Sequence, residues 1–270
     1  MKIGKATVPR TAICTSDAHT IVVRGRDLSK ELIGKVSFIE HFFLLLVGRM
    51  PSAGEAAVLN ATLVAIAEHG LVPSVQAARM TFAAAPDAMQ GAVAAGILGC
   101  GSVVLGSSET AGRMYSEIDA RVAAGDAIDK AALAVMQAWR AAGKAIPGVG
   151  HPLHKERDER VGALFAVARD AGTDQRFVAI AEASEAMVPE VLGKPLKLNV
   201  SGAIPAVLLG AGFPVEALKG VPILARTASL VAHLVEEQAR GIGFVLSEHA
   251  AKGIAYDGAA PAGFVAADGH

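Results

Sequence analysis

The sequence has few aromatic residues, few cysteines and almost no excess charge of either sign. Aromatic residues make up 4% of its 270 residues, and the formal net charge is −1. A near-neutral chain lacks the basic surface that nucleic acids and anionic membranes attract, so we expect neither as a partner. Two cysteines, Cys14 and Cys100, cannot form a disulfide framework. We therefore expect reduced thiols and a cytoplasmic location.

Long uninterrupted apolar runs and a secretory leader are also missing. No stretch of about 18 apolar residues runs without a charge or a Gly or Pro break, so we expect no membrane span. The N-terminus lacks the successive regions of a signal peptide. What is present is 52% hydrophobic residues, many of them Ala, a small residue and the best helix former. This composition predicts closely packed helices rather than sheets, and an apolar excess that covers a buried helical core and a large subunit interface.

Local signals divide the chain into elements. Two β-branched runs around Ser16-Asp17 predict a short hairpin within residues 11–24. Ser37 and Glu40 form a capping-box pattern ahead of an apolar helix that ends near Gly48. The pattern recurs at Ser52 and Glu55 and predicts a helix to about residue 68. We also predict two helices within 110–146, broken at 124–126, and helices at about 158–171 and 174–188.

The stretch from Pro147 to Arg160 differs from the Ala-rich segments around it. It holds two glycines, two prolines, two histidines and a run of charged residues. Pro152 disfavours helical geometry at His151, and Gly148 and Gly150 permit close backbone approaches. The pattern predicts a turn that fixes an imidazole at the start of a helix. A plain surface loop with two histidines is the alternative, since functional and plain loops share this chemistry.

The pattern Gly-x-Gly-His-Pro, followed by Asp158 and Arg160, resembles the active-site loop of the citrate synthase superfamily. Within it, the chain most resembles the citryl-CoA lyase branch, which includes the C-terminal part of ATP-citrate lyase. Further family motifs occur in the family's order. They are Arg24-Gly25, Leu44-Leu45-Leu46-Val47-Gly48 with Pro51-Ser52, His69-Gly70 with Pro73-Ser74 and Arg79, Gly101 with Gly106 and Glu109, Asn199-Val200-Ser201-Gly202-Ala203, and Arg226 with His233 and Glu237.

This resemblance implies an all-α, citrate-synthase-like, two-lobed helical fold with a short N-terminal β-hairpin. Residues 1–107 and 223–270 would form the large lobe, and residues 108–222 the small lobe. The active site would lie in the cleft, where lobe closure excludes water. The resemblance also implies a homodimer.

The resemblance further assigns site residues. His69, Arg160 and Arg226 would bind a citrate-like or oxaloacetate-like di- or tricarboxylate, and two arginines can hold two carboxylates. His151 would act on the hydroxyl or carbonyl group, and the backbone of Gly148, Val149 and Gly150 would lie near the CoA adenine. CoA or acyl-CoA is expected as a substrate, with no bound cofactor and no metal.

Other roles are open for three of the side chains in these motifs. His69 follows a helix and could be a partner for the helix dipole. Arg226 could form a salt bridge with Glu237 or another carboxylate. His233 could be a core histidine with satisfied hydrogen bonds.

Two catalytic positions of the family are replaced here. Val104 stands where the family has a His that hydrogen-bonds the thioester oxygen, and Ser201 stands where it has the Asp base. ATP-citrate lyase also departs from His in the first loop. One hypothesis is an enzyme that cleaves or forms a carbon–carbon bond between an acyl-CoA and a 2-oxo acid, with Ser201, a backbone amide or water on the enolate side. The alternatives are a catalytically silent dicarboxylate- and CoA-binding protein and an enzyme with a changed acyl substrate.

Overall fold

The computed structural model describes residues 9–101, 105–150 and 157–264. Within these ranges the chain forms three short strands followed by eleven α-helices. The strands are β1 Cys14–Ser16, β2 Ile21–Val23 and β3 Arg26–Asp27. The helices are α1 Phe38–Val47, α2 Ala53–Ala67, α3 Pro73–Ala84, α4 Met89–Leu98, α5 Gly106–Ala123, α6 Ile128–Ala141, α7 Glu159–Asp170, α8 Arg176–Leu192, α9 Val200–Gly210, α10 Gly220–Ala239 and α11 Gly243–Gly253. The predicted all-α fold with a short N-terminal hairpin is confirmed.

The carboxylate of Asp17 stabilises the turn between β1 and β2. β1 and β2 pair antiparallel, with Cys14 opposite Val23. Asp17 Oδ1 accepts hydrogen bonds from the backbone N–H groups of His19 and Thr20, both at 2.8 Å. β3 adds a third strand that the sequence did not predict, and one turn of π-helix, Leu28–Leu32, follows it.

Both predicted capping boxes are present. Ser37 Oγ accepts the Glu40 N–H at 3.2 Å, and the Glu40 carboxylate accepts the Ser37 N–H at 2.7 Å. Ser52 and Glu55 repeat this exchange at 3.2 and 2.7 Å. Each box satisfies backbone donors that the first helical turn leaves unpaired. These local bonds explain why α1 and α2 begin where the sequence predicts.

The described chain divides into two compact units. The first comprises the described residues of Met1–Thr62 and Ser107–Lys219, and the second those of Leu63–Gly106 and Gly220–His270. In the first unit α8 packs against α6 and α9, and α9 also packs against α7. The large and small lobes expected from the family resemblance stay a prediction.

The second unit is built on close contacts between helices. α3, α4, α10 and α11 surround a core that includes Val75, Phe82, Ala92 and Leu230. A Cβ atom added to Gly96 of α4 would lie 2.7 Å from Leu230 Cδ1. The absent side chain therefore lets α10 approach α4, as expected for a chain rich in small residues.

The segment Val215–Ala239, which contains α10, is long and apolar enough to cross a membrane by length and composition. Its mean hydropathy is 1.3, and 44% of its apolar window is buried in the structure. One such helix is weak evidence for a span, because the buried core helix of a soluble protein passes the same test. Within the second unit α10 packs against α3 and α4.

Candidate functional site

Two of the predicted motifs meet in the first unit at Asn199, the N-cap of α9. Asn199 Oδ1 accepts the Ser201 N–H at 2.9 Å and the Gly202 N–H at 3.3 Å. Its Nδ2 donates to the Gly150 carbonyl at 2.6 Å, and its backbone N–H donates to Gly148 O at 3.0 Å. One side chain thus caps the start of α9 and holds residues 148–150, which we call the glycine loop. We call residues 148–150, 158–160 and 197–202 the Asn199 junction.

The glycine loop is joined to the strand-like segment before α9 by backbone bonds as well. Gly150 N–H donates to Lys197 O at 2.8 Å, and Val149 and Leu198 form an isolated antiparallel bridge. Leu198 is buried, and its own N–H donates to Glu185 Oε1 at 2.8 Å. The predicted CoA-binding residues and the predicted catalytic Ser201 therefore belong to one hydrogen-bonded assembly.

Gly148 occupies a position that accepts only glycine without strain. Its φ is +77°, and a Cβ added there would lie 2.6 Å from Gly202 Cα. Positive φ costs an L-residue about 1–2 kcal/mol, and the approach of two backbones leaves no room for a methyl group. Gly148, one of the two glycines that the sequence pattern singled out, is therefore required by packing in the junction.

Asp158 connects α7 to α9. It is the N-cap of α7 and accepts bonds from Arg160 N at 3.1 Å, Arg160 Nε at 3.0 Å and Arg160 Nη2 at 2.8 Å. Its Oδ2 also accepts the Val200 N–H at 3.2 Å, at the positive end of α9. Burial acts to raise the pKa of Asp158, but the bonds from Arg160 and Val200 outweigh it and lower the pKa below its ordinary value. The carboxylate is therefore ionised and fixes the guanidinium of Arg160.

Ser201 lies in the first turn of α9 and is half-buried. Its backbone N–H donates to Asn199 Oδ1. In the described part of the chain, no carboxylate or imidazole forms a hydrogen bond with its hydroxyl. Asp158 reaches the neighbouring residue Val200 instead. The described residues thus supply no base that would activate the Ser201 hydroxyl as a proton acceptor.

Arg226 in the second unit is a buried cation with unsatisfied donors. The residue is 6% exposed, and its Nε and Nη1 atoms are buried with no hydrogen-bond partner among the described residues. The alternative of a salt bridge to Glu237 is wrong. Glu237 Oε2 accepts from Arg79 Nε at 2.5 Å, and its Oε1 accepts the N–H groups of Ile242 and Gly243. A buried guanidinium without a protein partner is typical of an anion-binding site.

The turn after α2 places His69 on the surface of the second unit. His69 is exposed, and its ring forms no hydrogen bond within the described residues. Its neighbour Glu68 accepts the backbone N–H groups of His69 and Gly70 on Oε1, at 2.9 and 2.5 Å. Glu68 Oε2 accepts from Ser229 Oγ at 2.5 Å and lies 3.0 Å from His233 Nε2. This turn is therefore tied to α10.

Both ring nitrogens of His233 are engaged, as the alternative of a satisfied histidine predicts, but the residue is half-buried rather than in the core. Its Nδ1 lies 3.4 Å from Arg79 Nη1, on the opposite side of the ring from Glu68. Arg79 is buried and pairs with Glu236 and Glu237, and its Nη2 donates to Arg240 O.

Two predicted positions lie outside the described residues: the catalytic His151 and the replaced position Val104. Residues 9–101, 105–150 and 157–264 contain no group of three His, Cys, Asp or Glu side chains that could hold a metal ion. The sequence did not predict the contact between Glu68 and Ser229. It identified Asn199 and Asp158 only as members of motifs and did not predict their capping roles. An Asn directly before an apolar helix is an N-cap signal that could have identified Asn199.

Comparison with known proteins gives one family and several related structures. The family model for the citrate synthase C-terminal domain matches residues 27–243. The structure of citryl-CoA lyase from Hydrogenobacter thermophilus superposes with a TM-score of 0.82 and 30% sequence identity. The match covers 96% of this chain and 98% of that chain. A search of curated proteins found no match.

More distant structures share the fold. ATP citrate lyase from Methanosaeta concilii, solved as a D541A mutant in complex with (3S)-citryl-CoA, has 22% identity and a TM-score of 0.76. The match covers 96% of this chain but 43% of that one. Citrate synthase from Thermotoga maritima has 19% identity and a TM-score of 0.61, over 86% of this chain and 59% of that chain.

Proposed function

Because the chain belongs to the citrate synthase family, we propose that it acts as a lyase on the carbon–carbon bond between an acyl-CoA and a 2-oxo acid, with citryl-CoA as the substrate. The similarity to citryl-CoA lyase over nearly the whole of both chains favours the lyase over the synthase direction. Citrate-like carboxylates and CoA are the ligands that the proposal requires.

The buried Arg226 guanidinium is the observation that carries this proposal. An unpaired buried donor costs about 1–3 kcal/mol, and more when it is charged. A chain keeps such a group where a ligand satisfies it, and a carboxylate matches the guanidinium fork with two parallel hydrogen bonds. Arg226 would therefore bind a carboxylate of the substrate. His69 and Arg160 are proposed as further carboxylate ligands on the strength of the family motifs.

In the cleavage direction, His151 would take the proton of the citryl hydroxyl group. The carbon–carbon bond then breaks, the hydroxyl carbon becomes the carbonyl of oxaloacetate, and the electron pair passes to the thioester as an enolate. Protonation of the enolate carbon gives acetyl-CoA. The role of His151 rests on the sequence motif. The proton donor to the enolate would be the Ser201 hydroxyl or a water molecule, since valine at position 104 offers no donor.

A catalytically silent binding protein is the second candidate function. It is favoured by the surroundings of Ser201, where the nearby Asp158 is already bonded to Arg160 and Val200. Such a protein would bind the carboxylate and CoA without cleaving the bond. Both candidates predict binding of the carboxylate and CoA, so only a turnover measurement separates them.

Titration calorimetry of citrate and oxaloacetate, with and without CoA, tests the carboxylate site. We expect Arg226→Ala to weaken binding about 10- to 100-fold, because it removes charge-assisted hydrogen bonds. Its thermal stability should equal or exceed that of the wild type, because unpaired buried donors are removed. Arg169→Ala, at an exposed arginine, is the matched control and should bind normally. Equal binding by Arg226→Ala would refute the assigned role.

We also propose a homodimer that uses the exposed face of α10. Its solvent-facing stripe is apolar and consists of Ala228, Val231, Ala232, Val235 and Ala239. Val231 is 41% and Val235 57% exposed, and spacings of three and four place the stripe on one face. In light scattering, Val235→Glu should convert the dimer to a monomer, and Ile254→Glu, at another exposed residue, should not. A monomeric wild type would refute the proposal.

A further inference from the structure

Glu68 makes more hydrogen bonds than its turn needs. Its Oε1 accepts two backbone N–H groups, which is sufficient to close the turn after α2. Its Oε2 reaches across to Ser229 and His233 on α10. The side chain is 53% exposed, so water alone could have solvated this second oxygen. The bonds to α10 therefore indicate a positioning task rather than a need to satisfy a buried charge.

The imidazole of His233 is held in one orientation by its two neighbours. Arg79 can only donate hydrogen bonds, so His233 Nδ1 faces it as an acceptor at 3.4 Å. The ring proton then lies on Nε2 and points at Glu68 Oε2, 3.0 Å away. Arg79 is in turn fixed by Glu236 and Glu237. An ion-pair network centred on the buried Arg79 thus supports the outer hydrogen bond to Glu68.

The contacts from Glu68 fall on the same face of α10 as Arg226. Ser229 and His233 follow Arg226 by three and seven residues, which places all three on one helix face. Glu68, Ser229, His233 and Arg226 all lie in the second unit. The His69 turn is therefore fixed relative to the helix that carries the unpaired guanidinium.

We propose that Glu68 is a positioning residue that holds the His69 turn on the Arg226 face of α10, so that His69 and Arg226 bind carboxylates of one substrate molecule. The inference rests on the proposed function, because His69 and Arg226 have their assigned roles only there. Glu68 touches no ligand itself and acts through His69. Burial acts to raise the pKa of Glu68, but hydrogen bonds from Ser229, Gly70 and His233 lower it to about 2, so the carboxylate stays ionised at neutral pH.

The test is a double-mutant cycle of Glu68→Gln and His69→Ala, with the citrate dissociation constant measured by calorimetry. A glutamine cannot accept bonds on both sides, because its amide nitrogen would face the donors of Ser229 and His233. We expect Glu68→Gln to weaken citrate binding about tenfold in the wild type. In the His69→Ala background it should change binding by less than about twofold, since the group it positions is gone.

Glu248→Gln is the matched control. Glu248 is 59% exposed in a surface ion pair with Lys252 of α11, and the substitution is the same. It should leave citrate binding unchanged. If Glu68→Gln does not fold, Ser229→Ala removes one bond to Glu68 Oε2. It should weaken binding about threefold in the wild type and not in the His69→Ala background.

The outcomes separate this inference from the proposed function. A wild-type protein that binds neither citrate nor oxaloacetate would overturn both. Normal citrate binding by wild type with an unchanged affinity in Glu68→Gln would overturn only the positioning role. An equal loss in both backgrounds would show that Glu68 acts independently of His69, and would also overturn it.

Discussion

The motif resemblance predicts that Ser201 replaces the family's catalytic aspartate, and the described residues around Ser201 do not restore that aspartate's chemistry. Asp158, the N-cap of α7, reaches Val200 next to Ser201, but its oxygens accept bonds from Arg160 and the Val200 N–H. Its lowered pKa makes it a poor proton acceptor at neutral pH. In the cleavage direction the enolate needs a proton donor rather than a base, so this replacement is better tolerated by a lyase than by a synthase.

Gly148→Ala tests whether the glycine loop is held by backbone packing. The new Cβ would require positive φ and would meet Gly202. We expect a loss of about 2–4 kcal/mol in the free energy of unfolding, from backbone strain and overpacking together. Urea denaturation measures this loss. Gly143→Ala is the control, because Gly143 has φ +72° with nothing within 4 Å and should lose only about 1–2 kcal/mol. Equal losses would contradict the packing argument.

At the level of single elements, the sequence predicted what depends on neighbours in the chain. The starts of α1 and α2 follow from Ser37 and Ser52, whose bonds reach three residues along the backbone. The break between α5 and α6 and the start of α7 were also predicted correctly. The bond from Asn199 to Gly150 spans 49 residues, and the bond from Ser229 to Glu68 spans 161. Such pairs depend on tertiary packing, which local patterns do not encode.

Asn199 has two separable tasks, as the cap of α9 and as the link to the glycine loop. Asn199→Ala removes both and should cost about 1–3 kcal/mol of unfolding free energy. Asn199→Ser keeps a capping oxygen and should recover about 1 kcal/mol of that loss. Alanine has no donor, and the serine hydroxyl is one bond shorter than the amide that reaches Gly150 O. Both variants should therefore weaken CoA binding to a similar extent. Denaturation and CoA calorimetry measure the two effects. Full CoA affinity in Asn199→Ser would show that the link is not needed.

At the scale of the whole molecule, the lowered carboxylate pKa values predict acid sensitivity. The pKa of Glu68 is about 2 against an ordinary 4.5, and the pKa values of Asp158 and Glu237 are also lowered. A carboxylate whose pKa is lower in the folded than in the unfolded state stabilises the fold at pH values above its unfolded pKa. This stabilisation is lost as the pH falls toward its folded pKa. We expect the free energy of unfolding to fall between about pH 4.5 and 2, as measured by urea denaturation. In Glu68→Gln the free energy of unfolding should fall less steeply over this pH range. An identical fall would contradict the contribution of Glu68 to the acid sensitivity.

The family and the helical fold could be predicted because its motifs run through the chain in order, from Arg24 to Glu237. The division into lobes, the roles of the site residues and the homodimer stay predictions. The proposed lyase reaction depends most on His151 and Val104, and both lie outside the described residues. The burial of Arg226 and the partners of Asp158 depend on the tertiary fold, so the sequence alone could not reveal them.

Cleavage of citryl-CoA by the purified protein tests the central claim most directly. Acetyl-CoA and oxaloacetate should form in equal amounts without release of free CoA, and His151→Ala should lower kcat about 10²- to 10⁴-fold, as expected for loss of a general base. Arg169→Ala should turn over at the wild-type rate. A folded wild-type protein that binds citrate and CoA but forms neither product would contradict the lyase and leave the silent binding protein.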